Sequence, residues 1–229
     1  GGGYIVWAAS RPVADIQSTT AELVSAWQAA DLDLLAGFHH PARRAEFRKR
    51  LQVIADHRGW QSGFPQVGDR SAKVSEGTPE DPDLGLSSLS FDGGWAEFNW
   101  QFEPARNCWY IYGFDLAPPP LAPRAEDFRA TWGSSSPEAM APFFREEYRD
   151  KWVDLFQRKA RQDEWASGWP ELAAPRIQGE EELLAAPGTP VQPHKLVCTF
   201  ALSGGGELVV RWGHDDASDE WLVGGIDFP

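Results

Sequence analysis

Apolar residues in the first part of the chain recur at the spacing of a helix. Between Asp15 and Ala30 they return every three to four positions, which predicts an amphipathic helix. A short helix is predicted over residues 31–38, and a long helix is predicted from Pro41, since proline fits a first turn, to Gly59. The apolar stripe of the long helix is Phe47, Leu51, Ile54 and Ala55.

Beyond residue 66 the period changes from helical to alternating, which is typical of strands. Strands are predicted over residues 71–76, 84–91 and 108–116. The pair Asp92-Gly93 predicts a hairpin turn, because tight turns need positive φ angles. In the strand after this turn, one face carries Ala96, Phe98, Trp100 and Phe102, and the other carries Glu97, Asn99 and Gln101.

The second half follows the same order. A helix is predicted over residues 125–132, a short helix starts at Ser136-Pro137, and a long helix begins after Pro142. The apolar stripe of that long helix is Trp152, Leu155 and Phe156. Strands are predicted over residues 175–178, 195–202, 207–214 and 220–228.

Two sequence blocks recur in one order. WQSGFP (60–65) returns as WASGWP (165–170), 105 positions later, and WYIYGFDL (109–116) aligns with WLVGGIDF (221–228), 112 positions later. A net insertion of seven residues is therefore placed in the loop GEEELLAAPGTPVQP. The repeat is longer than the roughly 20 to 50 residues of solenoid units. The sequence predicts an α+β fold of two tandem copies, each with three helices followed by a curved antiparallel sheet of about four strands.

The copies are predicted at residues 14–116 and 124–229. The intervening segment APPPLAP (117–123) is predicted to be a semi-rigid, extended linker, because its prolines disfavour helix and central strand. Residues 1–13 form an apolar, Gly-rich lead. This lead fits the end of an anchor or signal, an added strand or a cloning remnant; the first interpretation favours an envelope or secreted protein.

Composition narrows the class of function. A hydrophobic fraction of 42% with 24% charged residues is typical of a globular protein, and the net charge of −13 argues against a nucleic-acid partner. The 12 tryptophans are unusual; each indole N–H needs a partner, so many are predicted at core edges, pockets or interfaces. No apolar run reaches the length of a membrane span. A disulfide between Cys108 and Cys198 would have to join the two copies.

The run SAWQAADLDLLAGF (25–38), the later antiparallel strands and the terminal GFDL (113–116) resemble the nuclear transport factor 2-like superfamily. The resemblance implies a cone of curved sheet closed by helices, in a superfamily that includes isomerase-like and dehydratase-like enzymes as well as binding modules. It also implies that the two copies of a monomeric chain pair through their sheets, with Trp109 and Trp221 as candidates for the covered faces. No catalytic set of the superfamily can be matched residue by residue.

Three titratable residues are candidates for catalysis. Asp115 and Asp227 are equivalent acids in an otherwise apolar last strand, where apolar walls raise a carboxyl pKa and suit a general base. A shared structural role is the alternative, and we favour it. His214 continues an inward-facing stripe and is the third candidate, against the alternative of a strand-end histidine in solvent. Arg44 and Arg149 are also shared and fit either an anion site or a surface ion pair.

The sequence predicts no metal site and no cofactor. The remaining histidines lack the spacing of metal ligands, and SGGG (203–206) lacks the lysine and the following helix of a phosphate loop. These histidines, to which no role is assigned, are His39, His40, His57 and His194.

The leading functional prediction is a non-catalytic tandem binding protein whose aromatic-lined cones hold a small apolar ligand or a segment of a partner protein. The predicted ligand-binding residues are Phe98, Trp100, Phe102, Val210, Trp212 and His214. The alternatives are an isomerase-like or hydrolase-like enzyme that uses one cone, and a structural module whose cones are filled by side chains. The presence and lining of a concave pocket distinguish the three.

Overall fold

The computed structural model describes residues 15–76, 83–161, 165, 167–185 and 194–229. The chain divides into two compact units, the first ending at Ala117 and the second beginning at Pro118. Each unit combines helices with a four-stranded antiparallel sheet, so the predicted α+β class is confirmed. The lead at residues 1–13 lies outside the described residues.

Three α-helices open the first unit: α1 (Ile16–Gln28), α2 (Leu32–Gly37) and α3 (Arg44–His57). The first two begin at acidic N-caps. The carboxylate of Asp15 accepts hydrogen bonds from the backbone N–H groups of Gln17 and Ser18, and Asp31 accepts one from Leu34. The first two helices therefore start within one residue of their predicted bounds, whereas α3 starts three residues after the predicted Pro41, which lies in a 3₁₀ turn.

Four strands complete the first unit: β1 (Val67–Glu76), β2 (Leu84–Phe91), β3 (Gly94–Glu103) and β4 (Cys108–Leu116). They pair antiparallel in chain order. Gly93 has a φ of 82° in the predicted turn between β2 and β3. The pairing of β3 with β4 shifts register between Asn99 and Trp100, and a bulge of this kind bends the strand that carries it.

Trp27 is a buried residue of the first core. Its ring contacts those of Trp60, Phe64 and Phe91 at centroid distances of 6.1, 4.8 and 5.7 Å. Its Nε1 donates a hydrogen bond to the carbonyl oxygen of Pro65 at 2.9 Å. The WQSGFP segment therefore closes this core, because it supplies both the aromatic neighbours and the acceptor that a buried indole needs.

The helices of the second unit are α4 (Leu121–Trp132), α5 (Pro137–Met140), α6 (Arg149–Ala160) and α7 (Glu180–Ala185). Its strands are β5 (Arg176–Gln178), β6 (Lys195–Ala201), β7 (Glu207–Asp215) and β8 (Glu220–Asp227), paired antiparallel in that order. Helix α7 occupies part of a segment that was predicted to be a loop. No helix among the described residues is both long enough and apolar enough to span a bilayer.

Trp132 occupies the second core as Trp27 occupies the first. Its Nε1 donates to the carbonyl oxygen of Pro170 at 2.9 Å, and its ring lies 5.4 Å from Trp165 and 4.6 Å from Trp169. The backbone N–H of Trp169 donates to the hydroxyl of Ser135 at 3.1 Å. The WASGWP segment thus holds the end of this core through the same kind of indole-to-carbonyl bond.

The prediction of an extended linker over residues 117–123 is wrong for its last three residues, because α4 begins at Leu121. Pro123 falls in the first turn of the helix, where the backbone N–H has no partner within the helix and proline is tolerated. The carboxylate of Glu180 accepts hydrogen bonds from the N–H groups of Leu121 and Ala122. Glu180, which is distant in sequence, therefore supplies the hydrogen-bond acceptor for the first N–H groups of α4. No residue near the start of the helix predicts this contact.

Candidate functional site

A cleft of about 630 Å³ opens at one end of the sheet of the first unit. Its walls come from the turn after α2, the end of β3 and the start of β4. The side chains that line it include His40, Arg43, Gln101, Phe102, Tyr110 and Tyr112. The volume lies within the range of about 300 to 1,000 Å³ that is usual for small-molecule sites.

Backbone contacts bring the turn after α2 to the edge of β4. The N–H of Ile111 donates to the carbonyl oxygen of Phe38 at 2.9 Å, and His39 forms an isolated parallel bridge with Ile111. The ring of His40 then lies 5.6 Å from that of Tyr110. The sequence positions are far apart, so only this edge contact places the turn residues beside the tyrosines.

The guanidinium of Arg43 lines the cleft without a hydrogen-bond or ion-pair partner among the described residues. The other described arginine side chains of this unit each have a hydrogen bond, an ion pair or, for Arg58, a cation–π contact. Those contacts are Arg44 with the His39 carbonyl, Arg48 with Asp33, Arg50 with Phe114, Arg58 with Trp60, and Arg106 with Glu103. Arg43 therefore differs from its neighbours in being able to pair with a ligand.

Three aromatic side chains supply the apolar part of the cleft. Phe102 contacts Trp109 at a centroid distance of 5.2 Å, and the hydroxyl of Tyr110 accepts a hydrogen bond from Arg106 at 3.3 Å. Tyr112 is 45% exposed, which is unusual for a large side chain in this chain. These contacts fix two of the rings and leave the third available to a ligand.

His39 is buried beside this basic turn. Its ring lies 4.4 Å from that of Phe47, and its Nδ1 has no hydrogen-bond partner. Burial first, and then the nearby Arg43 and His40, lower the pKa of His39 to about 4. The imidazole is therefore neutral at neutral pH.

The predicted ligand-binding residues are not brought together. Phe98, Trp100 and Val210 are 0% exposed and Trp212 is 1% exposed, all inside packed aromatic cores. Of the six residues, only Phe102 lines the cleft. In place of open aromatic cones, the structure has interiors filled by these side chains, because both sheet and helices contribute large rings to the same space.

His214 lies in a buried carboxylate clamp. Its side chain is 3% exposed; its Nδ1 is 3.1 Å from Asp216, and its Nε2 is 3.2 Å from Asp219. The alternative of a solvent-exposed strand-end histidine is therefore wrong. Burial by itself disfavours the charged ring, but the hydrogen bonds to Asp216 and Asp219 outweigh burial and raise the pKa of His214.

The paired acids and arginines have structural contacts. The carboxylate of Asp115 accepts a hydrogen bond from the N–H of Leu116 at 2.9 Å, and Asp227 forms a two-bond ion pair with Arg211. The Nε of Arg44 donates to the carbonyl oxygen of His39, and that of Arg149 donates to Phe144 in the same way, at 3.0 and 3.1 Å. None of the four lines the cleft.

The tryptophans proposed for paired outer sheet faces point elsewhere. Trp221 belongs to the core of its own unit, where its Nε1 donates to the carbonyl oxygen of Pro119 at 2.6 Å. Trp109 packs, half-buried, against the core of the first unit. Both rings therefore pack against the core of their own unit. The pairing of the two sheets stays a prediction.

Sequence reasoning missed the residues that form the cleft. His40 was assigned no role, and Arg43 was not among the predicted ligand-binding residues. One signal was present: Tyr110 and Tyr112 stand in a strand whose counterpart has Leu222 and Gly224 at the matching positions. A polar aromatic pair that appears in only one of the two aligned sequence blocks indicates a function specific to the unit that carries it.

Neither cysteine is in a disulfide, and no group of three or more His, Cys, Asp or Glu side chains among the described residues is placed to hold a metal ion. The chain matches no protein-family model, and no curated protein or solved structure is significantly similar to it. A functional assignment therefore depends on the geometry of the chain itself.

Proposed function

We propose that this chain is a non-catalytic binding protein whose first unit holds a small ligand with an apolar body in the cleft beside β4. One observation carries the proposal: a cleft of about 630 Å³ combines three aromatic side chains with the guanidinium of Arg43, which has no hydrogen-bond or ion-pair partner among the described residues. Apolar walls with a few convergent polar groups are the usual form of a small-molecule site.

The proposed site lies at the rim of the first unit and outside its packed interior. The complete burial of Phe98, Trp100, Val210 and Trp212 supports, for the cone interiors, the alternative of a space filled by side chains. A filled interior makes a rigid frame, and rigid frames are suited to holding binding residues at their edges.

We also propose that the two units are tandem copies, as the sequence repeat predicts. Matched contacts support this proposal, since each occurs at the repeat offset of 105 or 112 positions. They are the indole bonds of Trp27 and Trp132, the carbonyl bonds of Arg44 and Arg149, the bridges His39–Ile111 and Phe144–Val223, and the bulges before Trp100 and Trp212.

The proposed relation to the nuclear transport factor 2-like superfamily has support at the level of architecture. In both units helices precede a four-stranded antiparallel sheet that carries a bulge. From the same relation we propose that the chain acts as a monomer. A light-scattering mass equal to one chain is expected, and a mass of two chains would contradict it.

The enzymatic alternative has less support. Both ring nitrogens of His214 contact carboxylates, so neither is available to take a proton from a substrate. Asp227 is occupied by Arg211 on an exposed strand end, and Asp115 contacts its own backbone neighbour. A general base must reach the proton it removes, and none of these groups lines the cleft.

Ligand-observed NMR with a library of small aromatic compounds tests the proposal on the full chain. Binding of library members is expected to be weakened at least several-fold by Tyr112→Ala. Tyr148→Ala is the matched control, because Tyr148 is a 50% exposed tyrosine of the second unit, close to the 45% of Tyr112. If no compound binds, or if both variants weaken binding equally, the cleft is not the site.

A further inference from the structure

The cleft has a basic side made of Arg43 and His40. The Nδ1 of His40 accepts a hydrogen bond from the N–H of Ala42 at 3.4 Å. A neutral imidazole that accepts at Nδ1 carries its proton on Nε2, so His40 offers a donor to the cleft. Arg43 adds a guanidinium fork, which matches the two oxygens of a carboxylate.

One of the two acidic residues of the lining is already paired with a base of the protein, and the other is open to a ligand N–H. Glu103 is paired with Arg106 at 3.6 Å, so its charge is already matched. Asp83 is exposed and accepts no side-chain bond among the described residues, which leaves it as an acceptor for a ligand N–H. Burial and then the positive charge of Arg43 lower the pKa of neighbouring His39, in agreement with a positive potential on this side of the cleft.

The second unit lacks each of these groups at the matching repeat positions. Tyr148 stands at the position of Arg43, Arg145 at that of His40, and Gly224 at that of Tyr112. A ligand that needs the guanidinium of Arg43, the donor of His40 and the ring of Tyr112 together finds them in the first unit but not at the matching positions of the second.

We infer that the cleft binds a small aryl carboxylate, with its ring against Tyr110 and Tyr112 and its carboxylate on Arg43 and His40. The inference rests on the proposed function and adds the chemical class of the ligand. A charge-assisted, two-bond contact to Arg43 fixes the carboxylate, and the aromatic wall buries the ring. An N–H on the ring system meets Asp83.

Isothermal titration calorimetry on the full chain tests the class with two matched probe pairs, phenylacetate with phenylacetamide and indole-3-acetate with indole-3-acetamide. Each acid is expected to bind with a stoichiometry of one and about tenfold more tightly than its neutral amide, since hydrogen bonds to charged groups are the stronger ones. Arg43→Gln is expected to remove the difference within each pair.

Arg129→Gln is the control, because Arg129 is an exposed arginine of the second unit that pairs with Glu126. Equal binding of acid and amide overturns the ligand class, and the proposed function then stands if Tyr112→Ala weakens both. Failure of all four probes to bind also overturns the ligand class, and the broader aromatic library then decides the proposed function by itself. A loss of preference in Arg129→Gln equal to that in Arg43→Gln removes Arg43 from the site.

Discussion

The Nε2 of His214 and the carboxylate of Asp219 lie 3.2 Å apart where their side chains are only 3% and 2% exposed. The second ring nitrogen contacts Asp216 at 3.1 Å. An ionised carboxylate only accepts hydrogen bonds, so a ring that bonds two of them must donate from both nitrogens and carry a positive charge. The turn between β7 and β8 therefore favours the positively charged form of His214.

The His214 clamp predicts that the second unit loses stability as pH rises. The pKa of His214 is raised above 6.5, so its contribution is complete below about 6.5 and is lost as pH rises through the folded-state pKa. Other charged or titratable groups near the ring are His194, whose carbonyl accepts the His214 N–H, and Asp215 and Glu220 at the adjoining strand ends.

NMR titration of the imidazole signals checks this prediction. Asp216→Asn removes one of the two carboxylates at a 63% exposed position, so the midpoint of His214 is expected to fall by about one pH unit or less. Asp150→Asn, an exposed change on α6, is the control. A midpoint at or below that of a model histidine in the unchanged chain would contradict the clamp.

His39 predicts the opposite pH dependence for the first unit. Its folded pKa of about 4 lies below the unfolded value of 6.5, so its contribution to stability is complete above 6.5 and declines as pH falls toward 4. His39→Phe places at this position the residue found at its counterpart, Phe144. The variant is expected to lose about 2 kcal/mol less free energy of unfolding between pH 7 and 4.5 than the parent chain.

Urea denaturation at the two pH values measures this difference. His57→Gln, which changes an exposed histidine at the end of α3, is the control and should follow the parent chain. Parallel loss of stability in His39→Phe and the parent chain would show that His39 is not the acid-sensitive group.

Glu180 is predicted to stabilise α4 from outside that helix. Glu180→Ala leaves the N–H groups of Leu121 and Ala122 without their acceptor, at a cost of about 0.5 to 2 kcal/mol, as for loss of an N-cap. Denaturation gives the cost, and faster amide exchange at Leu121 and Ala122 locates it. Glu181→Ala removes an exposed neighbour and should change neither; equal effects from both changes would argue against the cap.

Local periodicity was enough to predict most of the secondary structure. The apolar spacing around Trp27 predicted α1, and Asp92-Gly93 predicted the turn from β2 to β3. The start of α4 could not be predicted, because proline in a first turn resembles proline in a linker until Glu180 is known to reach Leu121. Short helix α7 was missed because its run of acids carries little apolar periodicity.

The candidate site was harder to predict than the fold. Alternation correctly indicated that Phe98 and Trp100 face inward, but it cannot say whether an interior is empty or filled. That outcome depends on how many rings meet there, which is a property of the packed chain. The cleft depends on the contact of Ile111 with Phe38, and no local pattern marks such a long-range pair.

Because Cys198 is buried, chemical modification of its thiol can report the opening of the second unit. Burial first, and then the negative charges of Glu126 and Glu180, raise the pKa of Cys198 to about 12. Alkylating reagents attack the thiolate, so modification at this residue must wait until the surrounding strands separate. Cys108, in the first unit, is only half-buried. The rate at which Cys198 is modified therefore reports how often the strands of the second unit separate.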